Sequence, residues 1–396
     1  MKQIWNRIGN VGLALIATLG ILSSCSAPKV TQDSWSVKLS DAAIARFDSL
    51  YRYHTNSIRV WQYDNAMLGM AINQLADVDA RYYNYFVGFY DYFLNDDGSI
   101  RGYKMSDYNI DMVNAGKGLI TLYQKTGEQK YKIALDTLVK QLEGMPTTSE
   151  GGFWHKKRYP NQIWLDGIYM GSPFMAEYAK VFDQPEWFDV AFKQITLAYE
   201  RTVDPLTGLC YHAWDESRQE AWSNPETGHS PHYWSRAMGW YMMALVDALD
   251  YFPENYAGRD SMIHILQKTS EALLPIRDPE TGLWFQVLDQ GNREGNYIEA
   301  SGTTMFTYAF AKGANKGYLD KRFKDIAQAS FDSIVTHLIV TDEDGMPTLN
   351  NTCHGAGLGG NPYRDGSYAY YISEWQRPND SKGVAPLILA ALELGR

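Results

Sequence analysis

Two aspartates stand in surroundings that suit acid–base chemistry. Asp166 lies in QIWLDGIYMGSPF, where Trp164, Leu165, Gly167 and Tyr169 surround one carboxylate near the predicted start of a helix. A carboxyl just inside an apolar helix loses hydration, which raises its pKa towards the range where it can deliver a proton near neutrality. The helix dipole acts the other way and favours the ionised form in a first turn. Local sequence leaves both readings open. Asp111, in YNIDMVNAGKG, precedes similarly small residues. Paired carboxylates are the usual device for cleaving glycosidic bonds, because burial and like charge push one pKa up while the partner stays ionised; a plain helix-start role suits Asp111 equally well. The run His155, Lys156, Lys157, Arg158 ahead of Asp166 suggests an anionic substrate.

Further along, Ser230 and Pro231 predict an N-cap and first helical position, which puts His232, Tyr233 and Arg236 in the opening turns of the next helix. A cation is disfavoured at that end of the dipole. Arg236 therefore either meets an anionic ligand, with Trp240 one turn on stacking against its ring, or forms an ion pair with an acidic loop. His155 and His212 sit in long loops beside aromatic residues, where an imidazole can hydrogen-bond a sugar hydroxyl or a carboxylate. His229 and His232 straddle Pro231 with no third ligand near, so no metal is expected. No G-x-S-x-G elbow occurs. The glycine-rich stretch 355–371 lacks the lysine of a phosphate loop, so no nucleotide or other cofactor is expected, and Tyr363, Arg364 and Tyr368 become lid contacts.

These residues must be positioned by helices. Helical periodicity predicts segments near 39–54, 61–76, 79–95, 109–126, 128–143, 164–183, 185–203, 232–251, 258–275, 299–315, 320–338 and 380–394. Short joints alternate with long ones, and short joints imply antiparallel neighbours. Segments after long loops, such as SRAMGWYMMALVDAL and GVAPLILAAL, are apolar on most sides, as buried helices are; their partners are amphipathic. An inner ring of buried helices and an outer ring of half-exposed ones describe an all-α, (α/α)6 barrel of six hairpins, with small β arms where turns such as DPLTGL and DPETGL recur in the long loops. All the long loops then share one face with the N-termini of the inner helices, which favour anions.

Composition sets the bounds. The chain has 396 residues, a net charge of -10 and 14% aromatic residues. That charge excludes broad contact with nucleic acid, and the aromatic content suits surfaces on which sugars stack. Residues 1–24 carry Lys2 and Arg7, then an apolar run, then Ser23, Ser24 and Cys25. They resemble a lipoprotein signal, which predicts an exported protein held on a membrane by lipidated Cys25, facing the periplasm or the cell surface. Residues 25–38 form a tether and 39–396 one catalytic domain. Oligomeric state is not legible. Cys210 and Cys353 are read as two free thiols, although an oxidising compartment permits a disulfide between them.

With those segments in order, the chain resembles the unsaturated rhamnogalacturonyl hydrolases, glycoside hydrolase family 105. The matching motifs are WQYDNAMLGMA, YNIDMVNAGKGL, GGFWHKKRYPNQIWLDGIYMGSPF, YHAWDE, SPHYWSRAMGWY and NDSKGVAPLILAAL. The resemblance implies release of a Δ4,5-unsaturated galacturonyl residue from the non-reducing end of an oligosaccharide made by a polysaccharide lyase. It makes Asp166 the general acid/base and Asp111 the second carboxylate, with Tyr63, His155, His212, Arg236 and Trp240 as substrate contacts. In the implied reaction one carboxylate protonates C4 of the enol ether and then activates a water that adds at C5. Alternatives on the same frame are an unsaturated glucuronyl hydrolase, a polysaccharide lyase, or a glycan-binding lipoprotein without activity.

Overall fold

The computed structural model describes residues 30–54 and 60–396. The expected signal segment and Cys25 lie outside them. No helix among the described residues is long and apolar enough to cross a membrane.

Twelve helices among the described residues make two concentric rings, and a short thirteenth, α12 (Tyr368–Ser373), lies in the loop before the last of them. The inner ring holds α2 (Tyr63–Asn73), α4 (Gly116–Thr126), α6 (Leu165–Phe182), α8 (Ser235–Ala248), α10 (Ala300–Asn315) and α13 (Ser381–Leu394). Around it stand α3 (Ala80–Phe93), α5 (Gln129–Glu143), α7 (Glu186–Thr202), α9 (Arg259–Leu273), α11 (Arg322–His337) and α1 (Trp35–Arg46). Burial follows residue type. In α8 and α10 nearly every residue is buried, whereas α5 buries only one stripe, Tyr131, Ala134, Leu135, Leu138, Val139 and Leu142, at helical spacing. Inner helices approach closely where side chains vanish: a Cβ on Gly302 of α10 would stand 2.1 Å from Ser235 Oγ of α8. Five hairpins pair neighbours in sequence, and the sixth pairs α1 with α13, the first helix with the last. Trp35 to Lys38, expected in the tether, belong to α1.

Other expected boundaries move too, and the segment read over 39–54 already ends at Arg46. The predicted helix over 109–126 is broken: residues Ile110–Val113 form a 3-10 turn, and α4 begins only at Gly116. The predicted cap at Ser230 and Pro231 also fails, because α8 starts at Ser235. Its first N–H is met by the carbonyl of Gln286, 3.0 Å away on another loop, so no side-chain cap is needed.

The β arms are small antiparallel pairs. Strand β1 (Gln162–Trp164) pairs with β2 (Ala213–Asp215) in the register Gln162↔Asp215, Ile163↔Trp214 and Trp164↔Ala213. This ribbon ties the loop entering α6 to the loop that leads to α8. Elsewhere β3 (Ile339–Thr341) pairs with β4 (Pro347–Leu349) around the left-handed Gly345, and β5 (Thr352–Cys353) with β6 (Gln376–Arg377). Cys210 and Cys353 are both free and buried.

Candidate active site

Backbone bonds hold four site residues at one end of the ring. Ile110 N–H donates to His155 O at 3.3 Å, His155 N–H to Gln162 O at 2.9 Å, and Leu165 N–H to His212 O at 3.1 Å. Asp111, His155, Asp166 and His212 therefore move as one frame. Gly167 is what lets His155 lie against α6, because a Cβ there would stand 3.0 Å from His155 Nδ1 and 3.2 Å from Ile110.

A cavity of about 110 Å³ opens in this frame, lined by Tyr63, Asp111, His155, Lys156, Asp166 and Arg364 among others. Asp166, the second residue of α6, keeps 15% of its side chain exposed, which leaves the carboxylate open to the cavity. Its Oδ2 lies 3.2 Å from Nε2 of fully buried His212, a close polar contact that falls outside hydrogen-bond geometry, and neither atom has a hydrogen-bond partner among the described residues. On the far side of that imidazole, Nδ1 is 2.7 Å from the Tyr371 hydroxyl. Burial drives the Tyr371 phenol pKa far up, so the hydroxyl stays protonated. With the Asp166 carboxylate beside Nε2, the favoured imidazole tautomer carries its proton there and leaves Nδ1 to accept from Tyr371.

Of the two readings left open for Asp166, the lowered pKa is the one its surroundings favour. Burial pushes its pKa up, but the His212 contact, with the positive charge of Arg236 nearby, outweighs burial and holds the carboxyl below its ordinary value. Nor does Asp111 press on it as a bare like charge: Lys156 Nζ sits 2.5 Å from Asp111 Oδ2, and His155 Nε2 is 3.7 Å from Oδ1. His155 itself is stacked on Trp164, with centroids 4.5 Å apart and planes at 10°, and burial lowers its pKa to about 4 despite Asp111. It is a neutral, rigid wall of the pocket.

The remaining candidates divide. Tyr63 and Arg364 line the cavity. Arg364 Nη2 donates to Tyr159 OH at 2.7 Å, and Ala356 also lines the cavity, so the glycine-rich loop does reach the site. Arg236 is not among the lining side chains. It is 2% exposed, and Nη1 donates to Ser301 Oγ and to the carbonyl of Cys353, with Glu299 supplying charge nearby; the ion pair with an acidic loop is not formed among the described residues. Trp240 has no exposed face to offer a sugar: it stacks on Tyr169 at 4.9 Å and meets Tyr63 edge-on at 5.9 Å, forming the floor beneath the cavity. Tyr363 is 49% exposed and accepts from Trp222 N–H at 3.0 Å, outside the cavity lining. Tyr368 is buried and donates to the Glu294 carbonyl at 2.9 Å, so it braces the loop instead of facing a ligand. Sequence reasoning missed Tyr371 altogether and treated Lys156 only as part of a basic run. Nothing local marks Tyr371, since its partner lies 159 residues away.

The ring of hairpins, with paired carboxylates in a small polar pocket at one end, has the form of a carbohydrate-active enzyme. The sequence matches the family described as Glycosyl Hydrolase Family 88 over residues 35–396. A solved glycoside hydrolase from family 105 of C. acetobutylicum ATCC 824 is 44% identical, covering 91% of this chain and 99% of that one, with a TM-score of 0.88. Protein Atu3128 of Agrobacterium fabrum is 39% identical over 57% of this chain and 97% of its own length. Unsaturated rhamnogalacturonyl hydrolase YesR of Bacillus subtilis is 27% identical over 60% of this chain and 65% of its own. The chain therefore belongs to glycoside hydrolase family 88/105, and it is a glycoside hydrolase on an (α/α)6 barrel.

Proposed function

We propose that the protein removes a Δ4,5-unsaturated galacturonyl residue from the non-reducing end of lyase-generated rhamnogalacturonan oligosaccharides, by hydrating the C4=C5 bond. The observation that carries this reading is the shared cavity: Asp166 and Asp111 line it together, and Arg364 and Lys156, the latter paired with Asp111, bring positive charge to the same lining. The likeness to the named Bacillus hydrolase supports the choice of sugar.

Asp166 is held ionised when the site is at rest, so it must gain its proton as substrate binds. A uronate carboxylate brought into a small cavity is a like charge in a poorly hydrated place, and both effects raise the pKa of Asp166. Because the His212 N–H faces Oδ2, the proton is carried on Oδ1. Asp166 gives that proton to C4; the carboxylate then takes a proton from a water whose oxygen bonds to C5. The resulting hemiketal opens and expels the partner sugar; Asp166 is left protonated, as in the substrate complex, and returns that proton to solvent when the products leave. Tyr371 acts through His212 and is a positioning residue.

Loss of the conjugated alkene, followed by ultraviolet absorbance, tests the reading directly. Absorbance falls for a hydrolase of this type and rises for a lyase. Digests of rhamnogalacturonan, homogalacturonan and glucuronate-containing glycans, compared side by side, assign the substrate; faster loss on a glucuronate-containing digest would overturn the galacturonyl assignment. We propose also that Cys25 carries a lipid tether on an exported chain. A Cys25→Ser variant that still partitions with membranes contradicts that part.

A further inference from the structure

Trp240 parts the lumen into two cavities, touching Tyr63 of the front one and Tyr169 of the one behind it. The rear cavity, of about 310 Å³, is lined by four acids, Glu177, Asp247, Asp250 and Glu393, against three lysines, Lys117, Lys312 and Lys316. Its cations have acids enough. The front cavity has the opposite balance, because two acids, Asp111 and Asp166, share its lining with Lys156, Arg158 and Arg364. His155 adds no charge near neutrality, since burial lowers its pKa to about 4. Asp111 is taken by Lys156, at 2.5 Å. Asp166 then remains for two guanidinium groups, and neither arginine has a carboxylate in ion-pair reach among the described residues. Glu220, on a neighbouring loop, is engaged by Gln162 at 3.2 Å and by Tyr363 at 3.4 Å.

The two arginines flank Tyr159 and are held in different ways. Arg364 is fixed: its Nε donates to Gly359 O at 2.9 Å, and its Nη2 donates to Leu358 O at 2.9 Å and to Tyr159 OH at 2.7 Å. Its Nη1 has no acceptor among the described residues and is open to solvent. The glycine-rich loop is shaped to this side chain, since a Cβ on Gly357 would stand 2.2 Å from Nη1 and one on Gly360 3.3 Å from Nη2. Arg158 is exposed, with its Cζ 4.9 Å from the Tyr159 ring centroid and no hydrogen-bond acceptor among the described residues. A guanidinium stays charged at any working pH, and its planar fork matches a carboxylate. Surplus positive charge in a small polar cavity draws in an anion.

We propose that Arg158 and Arg364 are the specificity determinants of the front cavity: together they take the C6 carboxylate of the bound sugar, so that the enzyme distinguishes a free uronate from its uncharged methyl ester. This rests on the reading above, that the sugar is an unsaturated uronate, and goes further in fixing which residues read its charge.

Alkene loss from an unsaturated galacturonyl disaccharide and from its C6 methyl ester, measured side by side, tests this. The ester keeps the alkene and loses the charge. Any difference in intrinsic reactivity cancels when the acid-to-ester ratio of a variant is divided by that of wild type. Arg158→Gln and Arg364→Gln should each lower kcat/KM on the acid about tenfold or more, the size expected for losing one charge-assisted contact, and lower it much less on the ester. The double variant should lose most of the wild-type preference, and Arg364→Lys, which keeps the charge, should recover part of what Arg364→Gln loses. Because Arg158 is exposed, its variant guards against a folding defect in the Arg364 one. Equal falls on acid and ester overturn the proposal, as does an unchanged rate on the acid in both single variants. If wild type turns over neither disaccharide, the substrate reading falls instead, and titration calorimetry with galacturonate and its methyl ester decides the role of the arginines. Wild type should then bind galacturonate better than the ester, with that preference lost in the double variant; equal affinity for the two, or binding of neither, overturns the proposal.

Discussion

The two ends of the lumen hold the same kinds of group and set them in opposite states. At the front, Asp166 is buried yet held below the ordinary carboxyl range, because a histidine N–H faces it. At the rear, Glu177 is buried without such a partner and is raised to about 7. Front and rear cations differ likewise: Lys156 is tied to Asp111, and Lys117 has only an aromatic face. The contrast teaches that burial alone does not decide which buried carboxyl is a proton donor at rest. The nearest polar partner does, and at the front that partner, His212, is itself held on its far side by Tyr371.

The sharpest test of this contrast is to neutralise one acid at each end. Asp166→Asn should lower kcat by about a thousandfold, in keeping with the loss of a positioned acid/base, with KM little changed; Glu177→Gln should leave kcat where it was. Near-normal turnover in the Asp166 variant removes that residue from the chemistry.

Stability against pH separates the ends by sign. His155 has a folded pKa of about 4, below its usual 6.5, so the folded state binds fewer protons and stability is lost as pH falls from 6.5 towards 4. The loss should approach about 3 kcal/mol in urea unfolding, and His155→Gln should flatten that slope. Glu177 runs the other way: its folded pKa lies above the usual 4.5, so its contribution is complete below 4.5 and is lost as pH rises through 7. Glu177→Gln should therefore be more stable than wild type at pH 8 by about 2 kcal/mol and no more stable at pH 4. Equal pH slopes in wild type and variant would break the comparison.

The smallest effect is the most specific. Tyr371→Phe leaves every apolar contact but frees Nδ1 of His212, so the tautomer facing Asp166 is no longer fixed. We expect about a tenfold fall in kcat, little change in KM, and a displaced pH profile. A fall in kcat with the profile unmoved would make Tyr371 a packing residue only.

Much of the frame was legible. The helix read over 164–183 is α6 at Leu165–Phe182, because an apolar run between a strand and the left-handed Asp183 carries its own limits. What failed did so where distant chain intervened. The cap expected at Ser230 was replaced by a carbonyl from Gln286, and Trp240, one turn from Arg236 as spacing required, proved to lie at the floor depth of the lumen, where its faces are already covered. Arg364 reached the cavity while Tyr363 before it and Tyr368 four residues on did not, a division that the residue types alone could not reveal.

The sequence by itself determined the ring. Periodicity, small residues at helix contacts and alternating joint lengths are local properties, and six amphipathic hairpins can bury their apolar faces in few other ways. Only the tertiary structure decided the pairing of α1 with α13, the partition of the lumen by Tyr63, Trp240 and Tyr169, and the ionisation of Asp166. Each of these depends on groups brought within a few ångströms by folding. Electrostatic and packing energies at such distances follow where atoms lie in space, not how far apart they are along the chain.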